Sequence, residues 1–165
     1  MRLTELILIL LISNLTFGQD KYVGIYNDRF SESIELKSDS TFVHNYRFDL
    51  SSSWTTGKWE VSNDTIYFKS ELVSDSLQVR DLNGNKIKDS LVLSADLKIN
   101  RIELNEFIMS SLSSGGQNRV KPPNKLYWKR NKLYRINENG TLDLRKVKAF
   151  WTDKKYKTYF RKETE

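Results

Sequence analysis

The stretch "TFVHNYRF", residues 41–48, places Phe42, His44, Tyr46 and Phe48 on one side of an extended chain and Val43, Asn45 and Arg47 on the other. Successive side chains of a pleated strand leave on opposite faces, so aromatic residues at every second position mark a strand with one buried face. The same period runs outward from this stretch. "SIELK" (33–37) alternates Ile34 and Leu36 with Glu35 and Lys37, and "GKWEV" (57–61) alternates Gly57, Trp59 and Val61 with Lys58 and Glu60. "TIYFKSE" (65–71) sets Ile66 and Phe68 against Tyr67 and Lys69, and "SLQVR" (76–80) sets Leu77 and Val79 against Gln78 and Arg80. Runs of this kind, rich in aromatic and β-branched residues, define an all-β chain.

Turn chemistry separates the runs. "KSDST" (37–41) and "SNDT" (62–65) are short polar breaks. Asn83-Gly84 and Asn139-Gly140 predict hairpins with type I′ turns, which need positive φ at both central residues. Strands are expected over 21–26, 32–37, 41–48, 56–61, 65–70, 76–80, 87–93, 97–104, 125–130, 132–137, 142–150 and 156–161. Joined by short turns, they describe an antiparallel up-and-down meander that closes as a barrel or packs as a sandwich, the barrel being the fold expected here. "NEFIMSSL" (105–112) is the one stretch suited to a short helix. "SSLSSGGQNRVKPPN" (110–124) holds both prolines and reads as a long flexible loop, which in a compact domain is a lid or cover, a binding loop or a disordered segment.

The amino terminus, "MRLTELILILLISNLTFGQD", carries Arg2, an apolar run from Leu6 to Ile12, and small residues Thr16 and Gly18 before Gln19. That is the layout of a secretory signal peptide over 1–18, cleaved near Gly18-Gln19. The apolar run is too short for a hydrocarbon core that takes roughly 20 residues, so no transmembrane segment is expected. Residues 19–165 then form one domain, secreted or periplasmic. The chain has no cysteine, which excludes disulfides, thiol nucleophiles and cysteine metal ligands. Its net charge of +6 is uneven: residues 20–118 hold 11 Lys and Arg against 15 Asp and Glu, whereas 119–165 hold 15 against 5. A basic carboxy-terminal third suits an anionic envelope surface, such as lipopolysaccharide or polysaccharide, or else a solvated outer face.

His44 is the only histidine, and its strand neighbours are aromatic. A buried imidazole satisfied by a nearby polar group explains it without a catalytic triad, and no G-x-S-x-G elbow supplies a nucleophile. Neither zinc nor calcium ligand spacing occurs, so no metal, cofactor or catalytic residue is expected. Glycoside hydrolysis needs only two carboxylates, but alternation turns Glu35 and Glu60 away from the apolar face and leaves Glu71 at a strand end. The basic-aromatic runs "KLYWKRNKLYRI" (125–136) and "KKYKTYFRK" (154–162) read as outer strands, with no nucleic-acid partner expected in an exported protein. The 20 aromatic residues leave two outcomes for the barrel interior. One is a filled core. The other is a cavity for a small apolar ligand, with its site at Phe42, His44, Tyr46, Trp54 and Trp59.

The pattern "YVGIY…IELKSDSTFVHNYRF…SWTTGKWEVSNDTIYFKS" resembles the opening of small secreted bacterial lipocalin-like domains. The matching residues are Gly24 and Tyr26, then Leu36, Asp39, Thr41 and Phe42, then Gly57 and Trp59, then Asp64, Thr65 and Ile66. "KLYRINENGTLDLR" (132–145) resembles their late hairpin. The resemblance spans about half of residues 19–165 and implies an up-and-down antiparallel barrel, an architecture rather than an activity; a binding module without catalysis is the reading expected of it. In true lipocalins G-x-W opens the first barrel strand, whereas Gly57-Lys58-Trp59 follows about three strand-like runs here. The resemblance therefore brings no retinoid-type or fatty-acid ligand and no catalytic residues.

Overall fold

The computed structural model describes residues 19–164; the expected signal peptide lies outside the described residues. Eight strands close into an antiparallel barrel: β1 (Gly24–Asn27), β2 (Glu32–Leu36), β3 (Thr41–Phe48), β4 (Ser51–Ser62), β5 (Thr65–Glu71), β10 (Lys125–Trp128), β11 (Lys132–Arg135) and β14 (Phe160–Lys162). Each is bonded to the next in this order, and β14 pairs back onto β1. The meander is thus up-and-down, with two insertions. Between β5 and β10 lie β6 (Ser74–Arg80), β7 (Lys86–Leu93), β8 (Arg101–Glu103), α1 (Leu104–Leu112) and β9 (Gly115–Gln117). Between β11 and β14 lies a hairpin of β12 (Lys146–Lys148) and β13 (Lys155–Lys157).

The period-2 faces hold. Tyr26, Ile34, Leu36, Phe42, Ile66, Leu126, Leu133 and Phe160 point inward and are essentially unexposed, and Trp59 is nearly so. Phe42 meets Phe68 edge-on with ring centroids 5.0 Å apart, and Tyr22 meets Trp128 edge-on at 5.2 Å. Tyr22 lies in the turn leading into β1 and closes one barrel end, its hydroxyl donating to Asp64 at 2.7 Å. Asn63 and Asp64 both have positive φ, as a type I′ turn between β4 and β5 demands.

Several expected boundaries shift for identifiable reasons. The two Asn-Gly hairpins form, but only Gly84 and Gly140 adopt positive φ, so neither is a type I′ turn. At the first, Asp81 Oδ1 accepts the backbone N–H groups of Asn83 and Asn85, which organises a five-residue loop instead. The run expected over 156–161 divides into β13 and β14, and that over 142–150 shrinks to β12. The expected helix appears as α1, with a reciprocal Glu103–Glu106 capping box. The loop 110–124 is ordered through β9, which lies parallel to the first half of β4. Gln117 replaces a strand rung there: its side chain donates to the Val73 carbonyl at 2.9 Å and accepts the Val73 N–H at 2.8 Å.

β4 is shared. It pairs with β3 over its first half and β5 over its second, and Gly57 is opposite Phe42 on one side and Ser70 on the other. A Cβ at Gly57 would collide with the Lys69 carbonyl oxygen and come 2.8 Å from the Phe42 ring. We therefore expect Gly57→Ala to lower stability by about 1–3 kcal/mol through overpacking. Urea unfolding would show a lower midpoint, whereas Ser70→Ala, at the exposed position across the ladder, should stay within about 0.5 kcal/mol.

Candidate functional site

The five residues expected to line a ligand site do not gather around a cavity. Phe42, His44 and Trp59 point inward and are buried; Tyr46 is half-buried on the same face. Trp54 lies on the outer face, because Ser53 and Thr55 beside it take the inward positions of β4, and its indole N–H donates to the Ala95 carbonyl at 3.3 Å. The apolar end of the interior is filled. Tyr26, Ile34, Phe42, Ile66, Leu126, Leu133 and Phe160 show no exposed surface, so no water-sized space touches them.

Toward the end of the barrel away from Tyr22, the interior becomes polar. Glu32, His44 and Tyr46 follow the inward face of β2 and β3, with Ile34 across from His44 and Tyr46 across from Glu32. His44 is fully buried, and its Nε2 lies 3.1 Å from Glu32 Oε2. An ionised carboxylate only accepts, so Nε2 carries the proton and donates. Arg135, inward on β11, donates to Glu32 Oε1 at 2.9 Å and lies 3.7 Å from Asp28 Oδ2. Asp28 Oδ1 accepts the N–H groups of Phe30 and Glu32, which holds the β1–β2 turn. Burial raises the Asp28 carboxyl above its usual range. Burial acts the same way on Glu32, but the hydrogen bond from His44 and the charge of Arg135 outweigh it and hold that carboxyl below its usual range.

Segment 118–120 is hydrogen-bonded to inward side chains at this end. The Val120 N–H donates to Ser53 Oγ at 2.9 Å, and Thr55 donates to Asn118 Oδ1 at 3.4 Å. The sequence reading missed Asp28, Glu32 and Arg135, although the signal was there. Each lies two residues along a strand from an inward apolar residue: Tyr26, Ile34 and Leu133.

Outside the barrel wall, an open groove of about 1110 Å³ runs between β1, β14 and the β12–β13 hairpin. Arg29, Lys155, Lys157, Arg161 and Lys162 line it, against two acids, Asp28 and Glu163. Asp28 is turned inward to Arg135, and Glu163 accepts from Asn27 at 2.6 Å but keeps its charge, so the five cations outnumber the acids and the groove keeps a cationic excess. The faces of its tyrosines are covered: Arg29 stacks over Tyr156 at 5.7 Å, and Lys132 over Tyr159 at 4.9 Å. The Arg161 guanidinium and nearby lysines lower the Tyr159 hydroxyl pKa. No group of three or more histidine and acidic side chains that could hold a metal ion occurs among the described residues, and no helix there is long and apolar enough to cross a membrane. Comparison with family models, curated proteins and solved structures found no match to this chain.

Glu32 gives the buried network a testable signature. Glu32→Gln leaves Arg135 facing a neutral amide and should cost about 2 kcal/mol at neutral pH. Because the folded-state pKa of Glu32 is lowered, its contribution is complete above the ordinary value of 4.5 and fades as pH falls through the lower folded value. Denaturant titrations from pH 7 downward should therefore show wild type and Glu32→Gln converging in acid. A gap that stays constant would contradict this.

Proposed function

We propose that the protein is an exported, non-catalytic binding module that holds a polyanionic partner on the outside of its barrel. The observation that carries this reading is the groove beside β14, where five cationic residues outnumber two acids, one of which, Asp28, is turned inward to Arg135. A concentration of positive charge in a groove attracts anions and speeds their encounter. The segregation of +10 into residues 119–165, read from the sequence, supports the same reading.

An apolar ligand inside the barrel is the weaker alternative, because it would have to displace packed rings such as Phe42 and Trp59. Hydrolysis by a carboxylate pair is weaker too. Asp28 and Glu32 are close to one another, but both are committed to Arg135, and Asp28 is almost unexposed. Export rests on the leader-like residues 1–18, and the lipocalin-like affinity rests on the eight-stranded barrel together with the motifs from Gly24 to Ile66.

The purified 19–165 protein should bind immobilised heparin and elute with added salt. Its affinity should fall about tenfold or more between roughly 0.1 and 0.5 M monovalent salt, as counterion release requires. Native mass spectrometry of the same preparation should show the bare polypeptide mass. Indifference to ionic strength together with a co-purifying lipid would overturn the proposal.

A further inference from the structure

The β12–β13 hairpin has an unusual arrangement of charge. Lys146 pairs directly with Lys157, and Lys148 with Lys155, so four exposed lysines share one face; Val147 and Tyr156 pair on the other. Like charges directly opposite on an antiparallel pair destabilise it, and a two-stranded hairpin is marginal even without them. Lys148 is partly compensated by Asp153 at 2.6 Å, in the loop at the hairpin tip. Among the described residues the other three have no acidic partner within ion-pair distance. At its base the hairpin is anchored by the Asp143 N–H, which donates to the Arg135 carbonyl of β11 at 2.8 Å, while the Asp143 carboxylate takes both Nε and Nη2 of Arg145 at 2.9 Å. Its flanks are tied down by Arg29 over Tyr156 and by Phe150 against Phe48, with ring centroids 4.1 Å apart. The fold holds the hairpin against the barrel while leaving three of its four facing lysines without an acidic partner among the described residues.

On this basis, and resting on the polyanion reading above, we infer that the hairpin is a clasp for an anionic polysaccharide, loosened by its own lysines and set when the polymer's sulfate or carboxylate groups neutralise them. Lys155 and Lys157 line the groove, and Lys146 and Lys148 extend the same face beyond it. A concave track of this kind admits a flexible chain and not the plane of a membrane. Proteins that hold single-stranded nucleic acid stack successive bases on aromatic faces. Here the groove tyrosines each carry a cation, Arg29 or Lys132, over the ring, and of the two exposed rings at the hairpin tip Phe150 is stacked on Phe48, which leaves Trp151 the open one. One platform can receive a single ring of the polymer, while the lysines take its charge.

Charge reversal at Lys155 and Lys157 separates binding from folding. The double variant Lys155→Glu/Lys157→Glu places a glutamate opposite Lys146 and Lys148, creating opposite-charge pairs where like-charge pairs stood. The clasp requires two effects of opposite sign. Hydrogen–deuterium exchange of 146–157 in the free protein should slow relative to wild type, while affinity for a heparin oligosaccharide falls about tenfold or more. In wild type, adding the oligosaccharide should slow exchange in the same residues, and single-stranded DNA of equal charge should compete poorly. Unchanged heparin affinity in the double variant would overturn the clasp while leaving the polyanion reading standing. So would unchanged exchange on binding, and equal competition by DNA would overturn the polysaccharide assignment. Wild type failing to bind heparin at all would overturn both.

Discussion

The ring of Phe42 lies over Gly57, where two neighbouring strands press on β4 at once. β3 comes from one side and β5 from the other, and the close approach of the Lys69 carbonyl leaves no room for a side chain. That contact lets one twelve-residue strand serve both halves of the barrel. Beyond Gly57, Trp59 and Val61 turn inward beside Phe68 and Ile66. Before it, Ser53 and Thr55 turn inward beside Tyr46 and His44. The apolar and polar ends of the interior are set by which side of Gly57 a residue occupies. The free edge of the first half is also what β9 uses, so the long loop owes its order to the same geometry.

An open groove lies on the outside of the barrel. Dense packing excludes a ligand from the apolar end, and a charge network with Arg135 at its centre occupies the other. Burying charged groups is costly, and a buried ion pair is weak evidence for stability by itself. Here the network joins β1, β2, β3 and β11, and through the Asp28 turn it sets where Arg29 enters the outer groove. The inside of the barrel thereby shapes the outside, through adjacent residues that face opposite ways.

The surface shows a second division. Residues 119–165 carry the positive charge, and the structure concentrates part of it in one track along β13 and β14. Solvated lysines scattered over outer strands would produce the same composition. Directly opposed lysines on a short hairpin are a different matter, because they cost stability that a simple solubilising surface would not require. The tension between local repulsion and the anchors at Asp143, Tyr156 and Phe150 is what distinguishes this surface from a merely basic one.

The sequence by itself determined the all-β class, the inward faces of β2 to β5, the short helix and the absence of cysteine chemistry. These are local properties: period-2 alternation and turn residues act within a few positions of the chain. It left Trp54 in the wrong company, because tryptophan reads as core wherever it occurs, and only the parity of Ser53 and Thr55 reveals its outward turn. It also missed Asp28, Glu32 and Arg135, since a charged residue at a strand end reads as solvated until the barrel closes over it. Only the tertiary structure decided that the apolar end of the interior is packed, that Glu32 and Arg135 meet across 103 positions of chain, and that four lysines face one another. The reason is geometric: alternation tells a side chain which way to point, but closure and register decide what it meets there.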